Sequence, residues 1–112
     1  MKGLIIKEPW IDYILSGDKV WEIRGSSTTI RGEISLIKSG TGMVFGTVEL
    51  IDCLKISLTQ YQNSNDKHMI SLEHLSEMPY KNTYAWVLAN PKAFETPTPY
   101  RHPRGAVIWV NL

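Results

Sequence analysis

The chain has 112 residues, 43% of them apolar, and a formal net charge of +1 at pH 7. That length supports one core and one domain, residues 1–112, and so small a charge excludes the global basic field of a histone-like nucleic-acid binder. A single cysteine, Cys53, excludes an internal disulfide and a cysteine-rich zinc site, and reads as a small buried hydrophobe in a strand.

The first ten residues, MKGLIIKEPW, lack the apolar run of a signal peptide, and no stretch approaches the ~18 apolar residues that span a bilayer. The expected location is the cytoplasm, without membrane contact. Leu4-Ile5-Ile6 is a short β-type run, and Pro9 is placed to start a helix whose Trp10, Ile11, Ile14 and Leu15 repeat at helical spacing until Gly17 stops it. Lys19 to Arg24 and Gly32 to Lys38 alternate as strands around the turn-rich Gly25 to Thr29. After Ser39-Gly40-Thr41-Gly42, a tight turn, Met43 to Leu54 reads as a long bent strand in which Gly46 marks a bulge or a close backbone approach.

Leu58 to Glu77 is polar and carries helical signals, with Ser57 or Thr59 as one cap and Ser71 as another. Tyr84 to Leu88 and Ala106 to Val110 are the clearest strands, separated by a proline-rich connection from Pro91 to Pro103. The fold class is mainly β with short helices: five or six short strands in a small β-barrel, since closure removes exposed sheet edges.

The stretch GDKVWEIR, residues 17 to 24, spends a strand on Lys, Glu and Arg. Alternation puts Glu22 and Arg24 on one face as i, i+2 neighbours, close enough for a charge-assisted hydrogen bond, and the long stem of Lys19 reaches the same cleft. Two readings stay open from the residues: a solvated surface ion pair, or the floor of a site.

Gly17-x-Lys19-x-x-Glu22-x-Arg24 matches the GxKxxExR signature of the ASCH family, the activating-signal-cointegrator homology domains, whose fold is similar to that of PUA RNA-binding domains. The segment IIKEPWIDYILSG resembles the helix that precedes the signature, TTIRGEISL resembles the family's RG-containing strand, and YAWVL and RGAVIWV resemble its two closing strands. The likeness covers nearly the whole chain. It implies a PUA-like barrel with a cleft beside the signature strand, lined by Lys19, Glu22 and Arg24 and open to a nucleotide or nucleic acid.

The resemblance implies several activities. Some members bind RNA or DNA in transcription or translation; one group is similar to a metal-dependent ribonuclease, and only there would Mn or Mg enter. A short bacterial group removes the acetyl group from N4-acetylcytidine with Lys and Thr three residues apart on the signature strand and a glutamate from a later segment. Here Lys19 matches, Glu22 stands at the Thr position, and Asp66 or Glu73 are the later acids on offer. A carboxylate has no proton to give near pH 7 unless its pKa is raised, so a Lys–Glu pair would work with Glu22 as general base and Lys19 stabilising an oxyanion.

Of four tryptophans, Trp10 and Trp21 flank the signature and are expected to be exposed as base-stacking platforms, whereas Trp86 and Trp109 belong to the core. Arg101, His102 and Arg104 form the densest basic run, and Ser26 to Thr29 with Arg31 form a second hydroxyl-rich loop; both are candidate phosphate contacts. His68, His74 and His102 lack metal-ligand spacing, so no metal site is expected. The expected function is binding of single-stranded RNA or of a modified nucleoside or nucleotide, with no resident cofactor. A hydrolase on the same cleft, with Lys19 and Glu22 as catalytic residues, is the second reading, and a protein-interaction module with a solvated charged strand is the third.

Overall fold

The computed structural model describes residues 1–112. Six strands, β1 (Lys2–Ile6), β2 (Trp21–Arg24), β3 (Gly32–Lys38), β4 (Met43–Lys55), β5 (Tyr84–Pro99) and β6 (Trp109–Asn111), form one sheet in the order β2-β5-β4-β3-β1-β6. The sheet curls into a half-barrel. Only β1 and β3 pair in parallel; α1 (Trp10–Leu15) lies in the crossover between them and buries Ile11 and Ile14. No helix is long and apolar enough to cross a membrane.

The main core gathers Leu4, Ile6, Ile11, Ile14, Ile34, Leu36, Val48, Leu50, Trp86 and Leu88. Each such aliphatic side chain, once buried, contributes about 1.5–3 kcal/mol. Trp109 stacks on Trp86 at 5.8 Å. A second cluster, Trp21, Ile23, Ile56, Tyr61, Leu75 and Ala85, lies on the other face of β2.

The polar stretch after β4 folds as α2 (Leu58–Asn63), α3 (Asn65–His68) and a 3-10 turn over Leu72–His74. Ser57 caps α2 in a reciprocal capping box with Gln60. Ser71 makes no side-chain cap.

Two expected boundaries move. The strand that begins at Tyr84 continues through the proline-rich segment to Pro99, because the prolines fall where the β4–β5 ladder is already broken. Asn90, at φ 52°, and Pro91 sit in one register shift, Pro97 in another, and Pro99 at the strand's end. The last strand starts at Trp109 rather than Ala106, after a turn with Gly105 at φ +83° and a hydrogen bond from Ala106 N–H to Pro103 O.

Gly46 does what a glycine inside a strand suggests. The β3–β4 register slips between Leu36, opposite Gly46, and Ile37, opposite Val44, leaving Phe45 as the extra residue of a bulge. A Cβ on Gly46 would lie 2.3 Å from Lys92 O and 2.7 Å from Leu15 Cδ2. Backbone cannot yield as a flexible side chain can, so Gly46→Ala is expected to cost about 1–3 kcal/mol. Thermal denaturation checks this: the midpoint should fall by roughly 5 °C or more, and an unchanged midpoint would show that β5 gives way freely.

Candidate functional site

Gly17, at φ +88°, ends α1, and its N–H donates to Ile14 O at 3.0 Å. The chain then runs extended into β2, anchored on both sides: Lys19 N–H donates to Tyr13 O and Val20 N–H to Lys67 O, each at 2.9 Å. Strand alternation does the rest. Trp21 and Ile23 turn to the second cluster, while Glu22 and Arg24, paired in register with Trp86 and Tyr84 on β5, turn to the concave side.

There they meet Lys19. Arg24 donates to Glu22 Oε2 from Nε at 3.1 Å and Nη2 at 2.9 Å, and Nη2 also donates to Ile5 O at 3.2 Å. Its guanidinium lies 5.5 Å from the Trp86 ring centroid. Lys19 Nζ donates to His68 O at 2.7 Å, stands 3.6 Å from Glu22 Oε1 and lies 5.0 Å from the Trp10 ring. One carboxylate thus lies between two cations, with side-chain exposures of 1% for Lys19 and 9% for Glu22.

Burial pushes the Lys19 pKa down; the attraction of Glu22 pulls it back up, and Arg24 adds to the fall. His68, whose carbonyl receives Lys19, is itself fully buried. Its Nδ1 accepts from Ile70 N–H at 3.0 Å, so Nε2 carries the proton donated to Tyr61 O at 2.7 Å. Burial lowers its pKa, which keeps the ring neutral.

The three charges form the floor of a cleft of about 360 Å³. Trp10 and Lys7 line it, and Ile70, Pro79 and Tyr80 bring the insertion after β4 across as a further wall. Tyr80 is 44% exposed, and its ring rests on Gly25, where a Cβ would come within 2.8 Å of Cδ1. Sequence reading missed Lys7, Ile70 and Tyr80 as cleft residues. Gly25, directly after the signature strand, is the one local sign that a ring packs there.

Trp10 is half-buried and in the cleft, as expected. Trp21 is not exposed: the alternation that aims Glu22 at the cleft aims Trp21 away, into the second cluster, with Lys67 Nζ 5.7 Å from its ring. Arg31 lies outside the cleft and donates to Thr28 O and Ile30 O. Arg101 and Arg104 are exposed in the loop before β6 and do not line the cleft. No group of three or more His, Cys, Asp or Glu side chains gathers as metal ligands would, and Glu22 is the cleft's one carboxylate.

The family model described as the ASCH domain matches residues 4–98. The chain belongs to the ASCH family. Similar solved structures include crystal structures of the ASCH protein from Zymomonas mobilis and of two of its mutant proteins, each with a TM-score of 0.76 and 13% identity. The alignments cover 99% of this chain and 86%, 87% and 88% of those chains. At that identity the likeness is one of fold. No curated protein sequence matches the chain. In this ASCH chain Lys19, Glu22 and Arg24 meet at one place, the floor of the cleft, while Gly17 ends the helix before them.

The burial of Lys19 has a thermodynamic signature. Below its ordinary pKa of 10.5, the unfolded chain holds this proton more tightly than the folded one, so Lys19 makes stability rise with pH up to that value. Chemical denaturation of wild type and Lys19→Met from about pH 7 to about pH 10 isolates this effect from the buried tyrosines. Wild type should gain on the variant as pH rises, and a pH-independent difference would contradict it.

Proposed function

We propose that the cleft binds the base of a nucleotide or of a short single-stranded RNA. The observation that carries this reading is the Lys19–Glu22–Arg24 cluster buried at the floor of a cleft walled by Trp10 and Tyr80. Buried charges are costly to the fold unless paired, and such a cluster in a concavity is a mark of function. Glu22 Oε2 is occupied by the Arg24 fork, while Oε1, 3.6 Å from Lys19 Nζ, keeps a second lone pair to accept from a base amino or imino group. Lys19 has a third N–H beyond those directed to His68 O and Glu22, and it is too deep to reach a phosphate. It therefore donates to a carbonyl or ring nitrogen on the same base edge, so donor and acceptor lie side by side. Tyr80 supplies a stacking face, and Lys7 at the rim meets phosphate.

The near-neutral chain and the recessed floor favour a single strand over a duplex, whose binding draws on many phosphate contacts. The protein acts as one domain, in the cytoplasm, where its lone cysteine stays reduced.

One observation favours a second reading, hydrolysis of an amide on an acylated cytidine: Lys19, its pKa lowered by burial, stands 3.6 Å from Glu22. That pair could direct a water and steady the developing oxyanion.

Isothermal titration of the four ribonucleoside monophosphates and of a short single-stranded RNA tests the first reading. Binding is expected, with affinity about tenfold to a hundredfold lower in Tyr80→Ala, the loss of one stacked base. The absence of any binding at millimolar ligand would overturn it and leave a protein-interaction module. Incubation with N4-acetylcytidine and with labelled RNA, with and without Mn²⁺ or Mg²⁺, separates the readings. Turnover that disappears in both Lys19→Ala and Glu22→Gln makes the protein a hydrolase; binding without turnover makes it a binder.

A further inference from the structure

Beside the charged cleft lies a second concavity of about 510 Å³, and the two share Ile5, Lys7, Ser39 and Val107 as a common wall. Each lies in the size range of a small-molecule site. Their chemistry differs. The first has the buried charges; the second has no carboxylate in its lining and takes its apolar wall from Ile37, Tyr100 and Ala106.

We infer that the two concavities are adjoining subsites for two consecutive nucleotides, with the bridging phosphate seated on Lys7 and the Ser39–Gly42 turn between them. This rests on the reading of the charged cleft as a base site with Lys7 at its rim and adds the length of the ligand and the turn that completes the phosphate seat.

Three observations carry it. First, Lys7 enters no ion pair, while its neighbour Glu8 is directed at Lys38 at 3.8 Å. Its ammonium stands uncompensated on the ridge common to both concavities. Second, the turn has Gly40 at φ +82° and Gly42 at φ +66°, and neither amide donates to a protein acceptor. Amides freed by left-handed backbone are anion donors, and the Ser39 hydroxyl beside them is a third donor without a protein partner.

Third, the far wall is built before any ligand arrives. His102 Nε2 donates to Ala106 O at 2.9 Å, so its Nδ1 accepts from the Tyr100 hydroxyl at 2.6 Å. Tyr100 N–H in turn donates to Gly42 O at 3.1 Å, tying this wall to the phosphate turn. The Tyr100 ring is thus a fixed apolar surface of the second concavity, held by the basic loop whose Arg101 and Arg104 line neither concavity.

The test compares each of ApA, CpC, GpG and UpU with its own nucleoside by isothermal titration. For the base that the charged cleft prefers, the dinucleoside monophosphate is expected to bind about tenfold or more tightly than the nucleoside. In Lys7→Ala, an exposed position, that ratio should shrink at least about fivefold, and Lys7→Arg should restore it. Raising the salt should weaken the dinucleotide and leave the nucleoside little changed. A ratio near one for all four bases, with nucleosides still bound, would overturn the second subsite and leave the base site standing. Failure of both nucleosides and dinucleotides to bind would overturn both.

Discussion

The Arg24 guanidinium is the fastening on which the site depends. It forks onto Glu22, lies against Trp86 and donates to the carbonyl of Ile5. β2 and β1 are not neighbours in the sheet; β2 is one edge, and β1 lies next to the other. The contact to Ile5 O therefore spans the open seam of the half-barrel, a place where backbone hydrogen bonds would otherwise end. By closing the seam with a side chain instead of a ladder, the fold leaves a cleft there and places a carboxylate at its floor.

Everything else at the site accommodates the charge held in that seam. Glu22 is neutralised by Arg24 and then approached by Lys19, whose burial works against its own protonation. The insertion after β4 offsets part of that cost. A fully buried neutral His68, fixed through both ring nitrogens, holds its own carbonyl 2.7 Å from the ammonium. A hydrophobic side chain at position 19 would pack as well without this scaffolding. The arrangement is what is expected where local stability has yielded to function.

Much of this is legible in the sequence, because the governing periods are short. Alternation within four residues puts Glu22 and Arg24 together, Gly17 stops a helix where the motif begins, and Gly46 announces the crossing of β4 and β5. The failures share a cause as well. Nearness to the motif suggests an exposed Trp21, whereas the same alternation that exposes Glu22 to the cleft buries Trp21 behind it. The prolines of β5 hid a strand because their tolerance depends on register shifts in β4, tens of residues away. Tyr80, Ile70 and Lys7 reach the cleft only through tertiary folding, and the partner of Lys19 is a backbone carbonyl, which no residue type advertises.

The fastening is tested most directly by a double-mutant cycle on stability with Glu22→Gln, Arg24→Met and the pair, followed by denaturant unfolding near neutral pH. If Arg24 and Glu22 close the seam together, the coupling energy should favour the wild-type pair by about 1.5–3 kcal/mol, the range of hydrogen bonds to charged groups. Additivity within about 0.5 kcal/mol would contradict the account and reduce the pair to a solvated contact on a strand.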